Sequence, residues 1–170
     1  HGMEQLARDA RITTLYEGTT GIQALDLLGR KIMQLQGAGL QQFLGMIHAF
    51  CAGQSGNAGL AEFVGPLAEK ANEWQALTME IGKRAMANAD EVGAASVDYL
   101  FYSGYVALAY WWARAVAAAD ASSSAETGTA KRETARFYFA RILPRTLTHA
   151  AAIRSGVAPL LALDAALFDS

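Results

Sequence analysis

The feature that most constrains the fold is a row of apolar residues between positions 60 and 85, spaced alternately four and three residues apart. Its members are Leu60, Val64, Leu67, Ala71, Trp74, Thr78, Ile81 and Ala85. This spacing places the whole row on one side of an α-helix, as in the seam of a helical bundle. Pro66 interrupts the row and predicts either a kink or a helix start at Gly65–Pro66.

Helical spacing recurs along the rest of the chain, and no stretch shows the alternation of apolar and polar residues that marks a β-strand. The predicted helices cover residues 3–15, 21–35, 40–51, 60–85, 96–119 and 131–155, followed by a short closing element at 158–168. Pro144 predicts a bend in the last long helix. Stretches 51–59 and 120–129 predict loops, the second of them mobile. We therefore predict an all-α fold, an up-and-down helical bundle of about six helices.

Two of the predicted helices are rich in apolar residues. Helix 21–35 carries Ile22, Leu25, Leu28, Ile32 and Leu35 at helical spacing. Helix 96–119 is apolar on more than one side, through Leu100, Phe101, Tyr105, Leu108, Trp111, Trp112 and Val116. This predicts that it is the central helix, in which Trp111 and Trp112 fit a core or subunit contact better than a stacking platform for a flat ligand. Asp98 and Arg114 leave an apolar run shorter than the roughly 20 residues of a membrane span.

Composition excludes several classes of function. Of the 170 residues, 52% are hydrophobic and 18% charged, so part of the apolar surface is expected to meet a partner. A net charge of -2, without a basic stripe among aromatics, argues against nucleic-acid binding. Cys51 is the only cysteine, which excludes an internal disulfide and fits a reducing compartment such as the cytoplasm. The opening residues lack a basic region before an apolar stretch, so no signal peptide is expected.

One carboxylate stands among small residues just before the second predicted helix. The octapeptide reads Tyr16-Glu17-Gly18-Thr19-Thr20-Gly21-Ile22-Gln23. Gly18 and Gly21 have no Cβ, so the backbone can turn sharply and a flat ligand can approach it closely. A side-chain oxygen of Thr19 or Thr20 can cap the following helix. The spacing leaves two interpretations of Glu17 open: a positioned general base, or an acid that stabilises a helix start through the helix dipole.

Other candidate motifs carry less. His48 and His149 have no acidic residue at the spacing of a helical metal motif, so they fit interior or surface positions better than a metal site. Six basic residues lie between positions 131 and 154: Lys131, Arg132, Arg136, Arg141, Arg145 and Arg154. They could bind an anionic partner such as the phosphates of a ligand or a membrane surface. Helical geometry argues against a single anion site, because Arg132 and Arg136 share a helix face while Arg141 and Arg145 point nearly the opposite way; solvated or locally paired charges fit better.

Two motifs in register resemble a known family. The elements Arg8-Asp9-Ala10-Arg11-Ile12 and Tyr16–Gln23 resemble the end of the dehydrogenase portion of acyl-CoA dehydrogenases. From about Leu40 onward the chain resembles the extra helical C-terminal domain of a longer bacterial subgroup, best in the stretch 137–146. The resemblance implies that residues 1–38 end the dehydrogenase helical domain, that 39–170 form an appended helical bundle, and that the chain is cut from a larger flavoprotein. The alternative is that His1-Gly2 is a cloning remnant before Met3.

The resemblance also implies roles for individual residues. Glu17 would remove the α-proton of an acyl-CoA thioester while the β-hydrogen leaves as hydride to flavin, which gives the trans-2-enoyl-CoA of β-oxidation. The main-chain N–H of Glu17 and a ribityl hydroxyl of the flavin would stabilise the charge on the thioester oxygen. Gly18 would contact substrate, and Thr19, Thr20 and Gly21 would contact FAD. Relatives often carry a larger polar residue where this chain has Gly21.

The same resemblance implies the partners. These are an acyl-CoA substrate, an electron acceptor like the electron-transfer flavoprotein, and further copies of the chain in a homo-oligomer. Most of the flavin site would lie upstream, so the chain alone is expected to be inactive and not to retain FAD. One rival hypothesis is a non-catalytic helical assembly or oligomerisation module. Another is a membrane-associating helical domain that uses Arg132 and Arg136.

Overall fold

The computed structural model describes residues 3–14, 19–122 and 124–163, in which all regular structure is helical. The α-helices are α1 (Met3–Arg11), α2 (Thr20–Leu25), α3 (Ala38–Gly53), α4 (Ala61–Ala85), α5 (Asp90–Ser122), α6 (Ala125–Phe137), α7 (Thr146–Ser155) and α8 (Ala158–Leu161). Two π-helical segments, Asp26–Gln34 and Tyr138–Ile142, continue α2 and α6. Short 3-10 turns occupy Ile12–Thr14, Ala58–Leu60 and Leu143–Arg145. The prediction of an all-α helical bundle is confirmed.

Helix α4 carries the predicted row into the core. The buried residues of this row are Leu60, Phe63, Leu67, Ala71, Trp74, Leu77 and Ile81. Phe63 and Leu77 take the places that the sequence pattern assigned to Val64 and Thr78, which lie at the edge of the core. A helix start at Gly65–Pro66 is wrong. The helix begins earlier, at Ala61, after a 3-10 turn that Asn57 caps: its Oδ1 accepts a hydrogen bond from the Gly59 N–H at 3.1 Å.

Helix α5 lies at the centre, as predicted, in contact with α2, α4, α6 and α7. Its buried row includes Tyr99, Tyr102, Val106, Ala109, Ala113 and Val116. The predicted apolar set is only partly covered, since Phe101, Leu108 and Trp111 remain 43%, 51% and 51% exposed. Trp112 is half-buried, with Lys131 Nζ 5.9 Å from its ring centroid. Within the described ranges, no helix combines the length and hydropathy of a membrane span.

The predicted mobile loop at 120–129 is wrong. Helix α5 continues to Ser122, and α6 begins at Ala125, so only a short connection separates them. Ser124 makes this possible because its Oγ accepts a hydrogen bond from the Thr127 N–H at 3.3 Å, which caps α6. At Pro144, where the sequence predicts a bend, a 3-10 turn stands between the π-helical segment Tyr138–Ile142 and α7. Of the predicted closing element, residues 164–168 lie outside the described ranges.

A polar cluster ties α4, α5 and α7 together. Glu73 accepts hydrogen bonds from Lys70 Nζ at 2.8 Å, Tyr102 Oη at 3.0 Å and Arg154 Nη1 at 3.1 Å. Burial raises the pKa of Glu73, but these three donors outweigh it and hold the pKa below its ordinary value. Burial also raises the pKa of Tyr102 well above its ordinary value. The carboxylate is therefore ionised at neutral pH and joins three helices.

Two smaller contacts close the ends of the bundle. Arg84 donates to Glu91 Oε2 at 3.1 Å and to the Ile153 carbonyl at 2.7 Å, which ties the start of α5 to the end of α7. Gly156 follows α7 with φ 69° and ψ −167°, a conformation that is essentially restricted to glycine.

At the far end, Cys51 of α3 is buried with its Sγ 3.7 Å from the Val64 carbonyl oxygen, and burial raises the pKa of its thiol.

Candidate active site

The predicted flavin-contacting stretch lies at the start of α2. Thr19 is the N-cap residue and has φ 39° and ψ 129°, a positive φ that β-branched residues rarely adopt. Its side chain makes no capping hydrogen bond, and its carbonyl accepts from the Gln23 N–H at 3.2 Å. Capping by the Thr19 side chain is therefore wrong, and Thr20 is already the first helical residue. A strained backbone of this kind is common at ligand-binding sites.

Gly21 leaves open space at the surface. A Cβ built at this position meets no atom within 4 Å, and Thr19, Thr20 and Gly21 are all exposed. The backbone of this stretch is thus accessible to a flat ligand, as the sequence predicts.

Glu17 and Gly18 lie outside the described residues. Of the predicted site, the structure therefore places Thr19, Thr20 and Gly21, side by side and exposed at the start of α2. The catalytic role of Glu17 and the substrate contact of Gly18 remain predictions from the sequence.

Helix α2 and its π-helical continuation form one element, residues 20–34, which we call the site helix. Ala24, Leu28 and Ile32 are 0%, 0% and 6% exposed and fix it in the core. Their uniform spacing of four suits the wider turn of a π-helix, in which N–H groups donate five residues back, as the C-cap Leu35 N does to Arg30 O at 3.3 Å. The helix packs on α5 at Gly29, where a built Cβ would lie 3.8 Å from Val92 Cγ1, an ordinary van der Waals contact.

Charged residues on the outer side of the site helix pair with one another. Arg30 Nε lies 2.5 Å from Asp26 Oδ1, and Lys31 Nζ lies 3.4 Å from Asp26 Oδ2. The hydrogen bond from Arg30 is the main cause that lowers the pKa of Asp26. Asp26 is thus engaged as an anion with two cations, which makes it a poor candidate for a proton acceptor.

An apolar pocket lies between the site helix and the bundle. It has a volume of about 260 Å³ and is lined by Leu27, Lys31, Ile32, Gly39, Leu40, Phe43 and Trp74. Its walls are almost entirely hydrocarbon and aromatic, so it suits an apolar group rather than a charged one. The sequence pattern did not indicate it, because the residues come from three separate helices.

Three of the six basic residues between positions 131 and 154 pair with acids: Arg132, Arg136 and Arg154. Arg132 donates to Asp120 Oδ2 at 2.6 Å and to the Gly59 carbonyl. Arg136 lies 2.8 Å from Glu62 Oε1 and 2.6 Å from Glu133 Oε1, and hydrogen bonding to these carboxylates raises its pKa. A surface cavity of about 540 Å³ borders Arg132 and Arg136. Because carboxylates balance both guanidinium groups, this cavity does not favour an anion.

His149 occupies an aromatic setting between helices. Its Nδ1 lies 2.7 Å from Asp98 Oδ1, and its ring stacks on Phe101 and Tyr105 with centroid distances of 5.4 and 5.7 Å. Among the described residues, no group of three or more His, Cys, Asp or Glu side chains converges as a metal site would require. His149 therefore lies at the edge of the core, where it joins α7 to α5 through Asp98.

An all-α bundle preceded by an exposed glycine- and threonine-containing helix start is the architecture expected for the C-terminal part of an acyl-CoA dehydrogenase. Residues 43–164 match the family model described as acetyl-CoA dehydrogenase C-terminal like. This chain belongs to that family, within the acyl-CoA dehydrogenases.

Two characterised relatives extend the similarity. The broad-specificity linear acyl-CoA dehydrogenase FadE5 of Mycobacterium tuberculosis is 31% identical over 98% of this chain and 29% of its own length. The 3-methylmercaptopropionyl-CoA dehydrogenase of Ruegeria pomeroyi is 34% identical over 84% of this chain and 25% of its own length. The chain thus spans less than a third of the length of either relative.

Proposed function

We propose that this chain is the C-terminal part of an FAD-dependent acyl-CoA dehydrogenase that oxidises an acyl-CoA thioester to the trans-2-enoyl-CoA. The observation that carries the proposal is the family membership of residues 43–164 together with two acyl-CoA dehydrogenase relatives. Residues 1–38 then end the dehydrogenase portion, and 39–170 form the appended bundle. The two parts pack on each other, because Leu28 and Ile32 share one core with Leu40 and Leu44.

The residues of this chain would divide the work as follows. The Glu17 carboxylate accepts the α-proton, and its main-chain N–H donates to the thioester oxygen as negative charge develops there. Gly18 leaves room for the thioester. A carboxylate in this role needs a site shielded from water, which raises its basicity.

The described residues fit a flavin. Thr19, Thr20 and Gly21 are exposed, and the open space at Gly21 allows a flat ring to approach the backbone. When bound, FAD supplies the acceptor for the β-hydrogen. The chain's own contribution is a firmly anchored helix start, since Ala24 and Leu28 fix the site helix immediately after these residues.

Substitution of Glu17 in the full-length parent tests this function. Glu17→Gln should abolish exchange of the substrate α-proton and reduction of the flavin, while flavin content and oligomeric state stay unchanged. The isolated 170-residue chain should show neither flavin absorbance nor turnover. Flavin absorbance and acyl-CoA turnover by the isolated chain, or α-proton exchange by the Glu17→Gln parent, would contradict the proposal.

A second candidate function, a helical assembly module, is favoured by one observation. The outer side of α5 exposes Val97, Phe101, Leu108 and Trp111, which are 38%, 43%, 51% and 51% accessible. Exposed apolar rows of this kind mark contact surfaces. Deletion of the parent from Leu40 onward should break the oligomer if the bundle assembles subunits. If the oligomer instead survives the deletion, the assembly function is wrong.

A further inference from the structure

The outward side of α5 carries a continuous apolar row, which we call the outer row. Its spacings alternate between four and three residues, and all of its members are exposed: Val97, Phe101, Gly104, Leu108 and Trp111. From position 93 to position 111 no exposed residue of α5 is charged, so the row runs without interruption for about 21 Å. Alternating spacings of four and three are those by which one helix packs along another. Because the opposite side of α5 is buried in the bundle, the outer row is a second packing side of the same helix.

Gly104 stands at the middle of the outer row. A Cβ built there meets no atom within 4 Å, so no contact in the described chain calls for a glycine at this position. Glycine inside a helix is less stable than alanine by about 0.5–1 kcal/mol. Without a side chain at this point, the backbone of a second helix can approach α5 closely. The outer row therefore accepts a facing helix best at its middle.

Two aromatic side chains of the outer row are held in place by their neighbours. The Phe101 ring stacks on His149 at a centroid distance of 5.4 Å. The Trp111 ring lies 5.1 Å from that of Tyr110, and Arg114 Cζ lies 5.2 Å from the Trp111 centroid. Side chains that are already fixed lose little conformational entropy on association, and aromatic residues contribute much of the binding energy at interfaces. Phe101 and Trp111 are therefore suited to anchor a contact.

The charges at the two ends of the outer row indicate which partner fits it. Asp90 is exposed seven residues before Val97, on the same side of α5, and Arg114 is exposed one turn after Trp111. In the described part of the chain neither of these two charges forms a salt bridge. If two copies of α5 cross antiparallel near Gly104, Arg114 of one copy lies opposite about residue 94 of the other, one helical turn from Asp90. A parallel pair would instead place like charges opposite each other.

We propose that the outer row is the contact through which two copies of this chain pair, antiparallel and about a two-fold axis near Gly104. Phe101 and Leu108 of one copy then meet Leu108 and Phe101 of the other, and an Asp90–Arg114 pair forms at each end. A second copy is the occupant because the row complements itself in its apolar spacing, its central glycine and its terminal charges. This pairing deepens the assembly function proposed above, on which it rests, and does not depend on the chemistry of Glu17.

Sedimentation equilibrium of the 170-residue chain tests the pairing. The wild-type chain should form dimers, and Leu108→Glu, which puts one charge from each copy into the contact, should raise the dimer Kd by about tenfold or more. Its thermal midpoint should stay as in wild type, since Leu108 is 51% exposed in the monomer. Leu147→Glu is the matched control. Leu147 is 60% exposed and lies beside Pro66 and Phe139, away from the outer row, so its replacement should leave the Kd unchanged.

Charge reversal tests the antiparallel orientation. Asp90→Arg and Arg114→Asp should each raise the dimer Kd by about threefold or more, because each change places like charges together at both ends of the contact. The two changes combined in one chain should restore the wild-type Kd, since opposite charges face each other again. Losses that add up in the double variant would overturn the antiparallel pairing.

Several other outcomes would overturn the proposal. One is a wild-type chain that stays monomeric up to about 100 μM, and another is a dimer that Leu108→Glu leaves intact. A third is a full-length Leu108→Glu parent that loses stability but keeps its oligomeric state, because another portion of the same polypeptide would then cover the row. A fourth is binding of the wild-type chain to phosphatidylglycerol vesicles that Leu108→Glu abolishes, which would assign the row to a membrane surface. The dehydrogenase function reads out separately, as reduction of the parent's flavin by an acyl-CoA, and a monomeric chain would leave it standing.

Discussion

The segment 3–25 and the bundle from α3 to α7 contain similar apolar patterns but differ in what covers them. In the bundle, side chains such as Leu67 and Ile81 are fully buried, and polar groups such as Glu73 are satisfied across helices. In the segment 3–25, apolar residues at helical spacing, such as Met3, Leu6 and Ile22, stay exposed. Helical spacing therefore predicts which side of a helix is apolar, whereas burial of that side also requires another element that packs on it.

The largest predicted effect is a difference in the free energy of unfolding between alanine variants of two leucines in the site helix. Leu28→Ala removes a fully buried side chain and should lower the free energy of unfolding of the isolated chain by about 2–5 kcal/mol. Leu25→Ala, three residues earlier, should change it by less than about 0.5 kcal/mol, because Leu25 is 49% exposed. Urea denaturation measures both. Equal losses would mean that the two sides of the helix are equally covered, which would contradict the contrast between segment 3–25 and the bundle.

A smaller effect should separate two glycines. Gly156→Ala imposes a Cβ on a backbone with φ 69° and places it 3.1 Å from Glu91 Oε1, so a loss of about 1–3 kcal/mol is expected. Gly21→Ala meets no atom within 4 Å and should be neutral or stabilising by up to about 1 kcal/mol, since alanine favours a helix. Thermal unfolding of both variants checks the pair. Destabilisation by Gly21→Ala would show that the helix start is already packed.

The smallest predicted effect is a difference between Glu73 and Asp26 in how their replacement changes the dependence of stability on pH. The pKa of Glu73 in the folded chain is lower than its ordinary 4.5. The unfolded chain therefore binds a proton at Glu73 more readily than the folded chain does. The stability that Glu73 contributes is present above the ordinary pKa and is lost as the pH falls through the folded pKa. Glu73→Gln should cost about 1–2 kcal/mol at pH 7 and flatten this acid loss, because Lys70 and Arg154 lose a charged partner.

Asp26→Asn is the matched control. The pKa of Asp26 is also lowered, chiefly by Arg30, but the pair is exposed to solvent, so no measurable change in stability is expected. Unfolding free energies measured between pH 3 and 7 compare the two variants. An acid loss that Glu73→Gln leaves unchanged would remove Glu73 as its source.

Much of the fold could be predicted from spacing alone. The row in α4 and the central place of α5 follow from the number and spacing of their apolar residues. The pattern assigned Val64 and Thr78 to the core in place of Phe63 and Leu77. Spacings of three and four fit either member of each adjacent pair, and packing against α3 and α5 decides which one is buried. The loop at 120–129 was mispredicted because its composition outweighed one residue, Ser124, that caps α6.

Less of the candidate site could be predicted. The motif indicated Thr19–Gly21, and the structure leaves that stretch exposed, but no residue pattern indicated the positive φ of Thr19. The π-helical bonding of the site helix was also missed, because its apolar residues fit α spacing equally well. The Glu73 cluster depends on Arg154, which is 81 positions away, a separation at which local patterns carry no information.

The single buried thiol of Cys51 has a practical consequence. Only the thiolate reacts with alkylating or disulfide reagents, and burial between α3 and α4 both hides this sulfur and suppresses its ionisation. Modification therefore requires those two helices to part. The rate at which Cys51 is modified, measured by mass spectrometry, therefore reports how often α3 and α4 separate in the native chain, without an engineered cysteine.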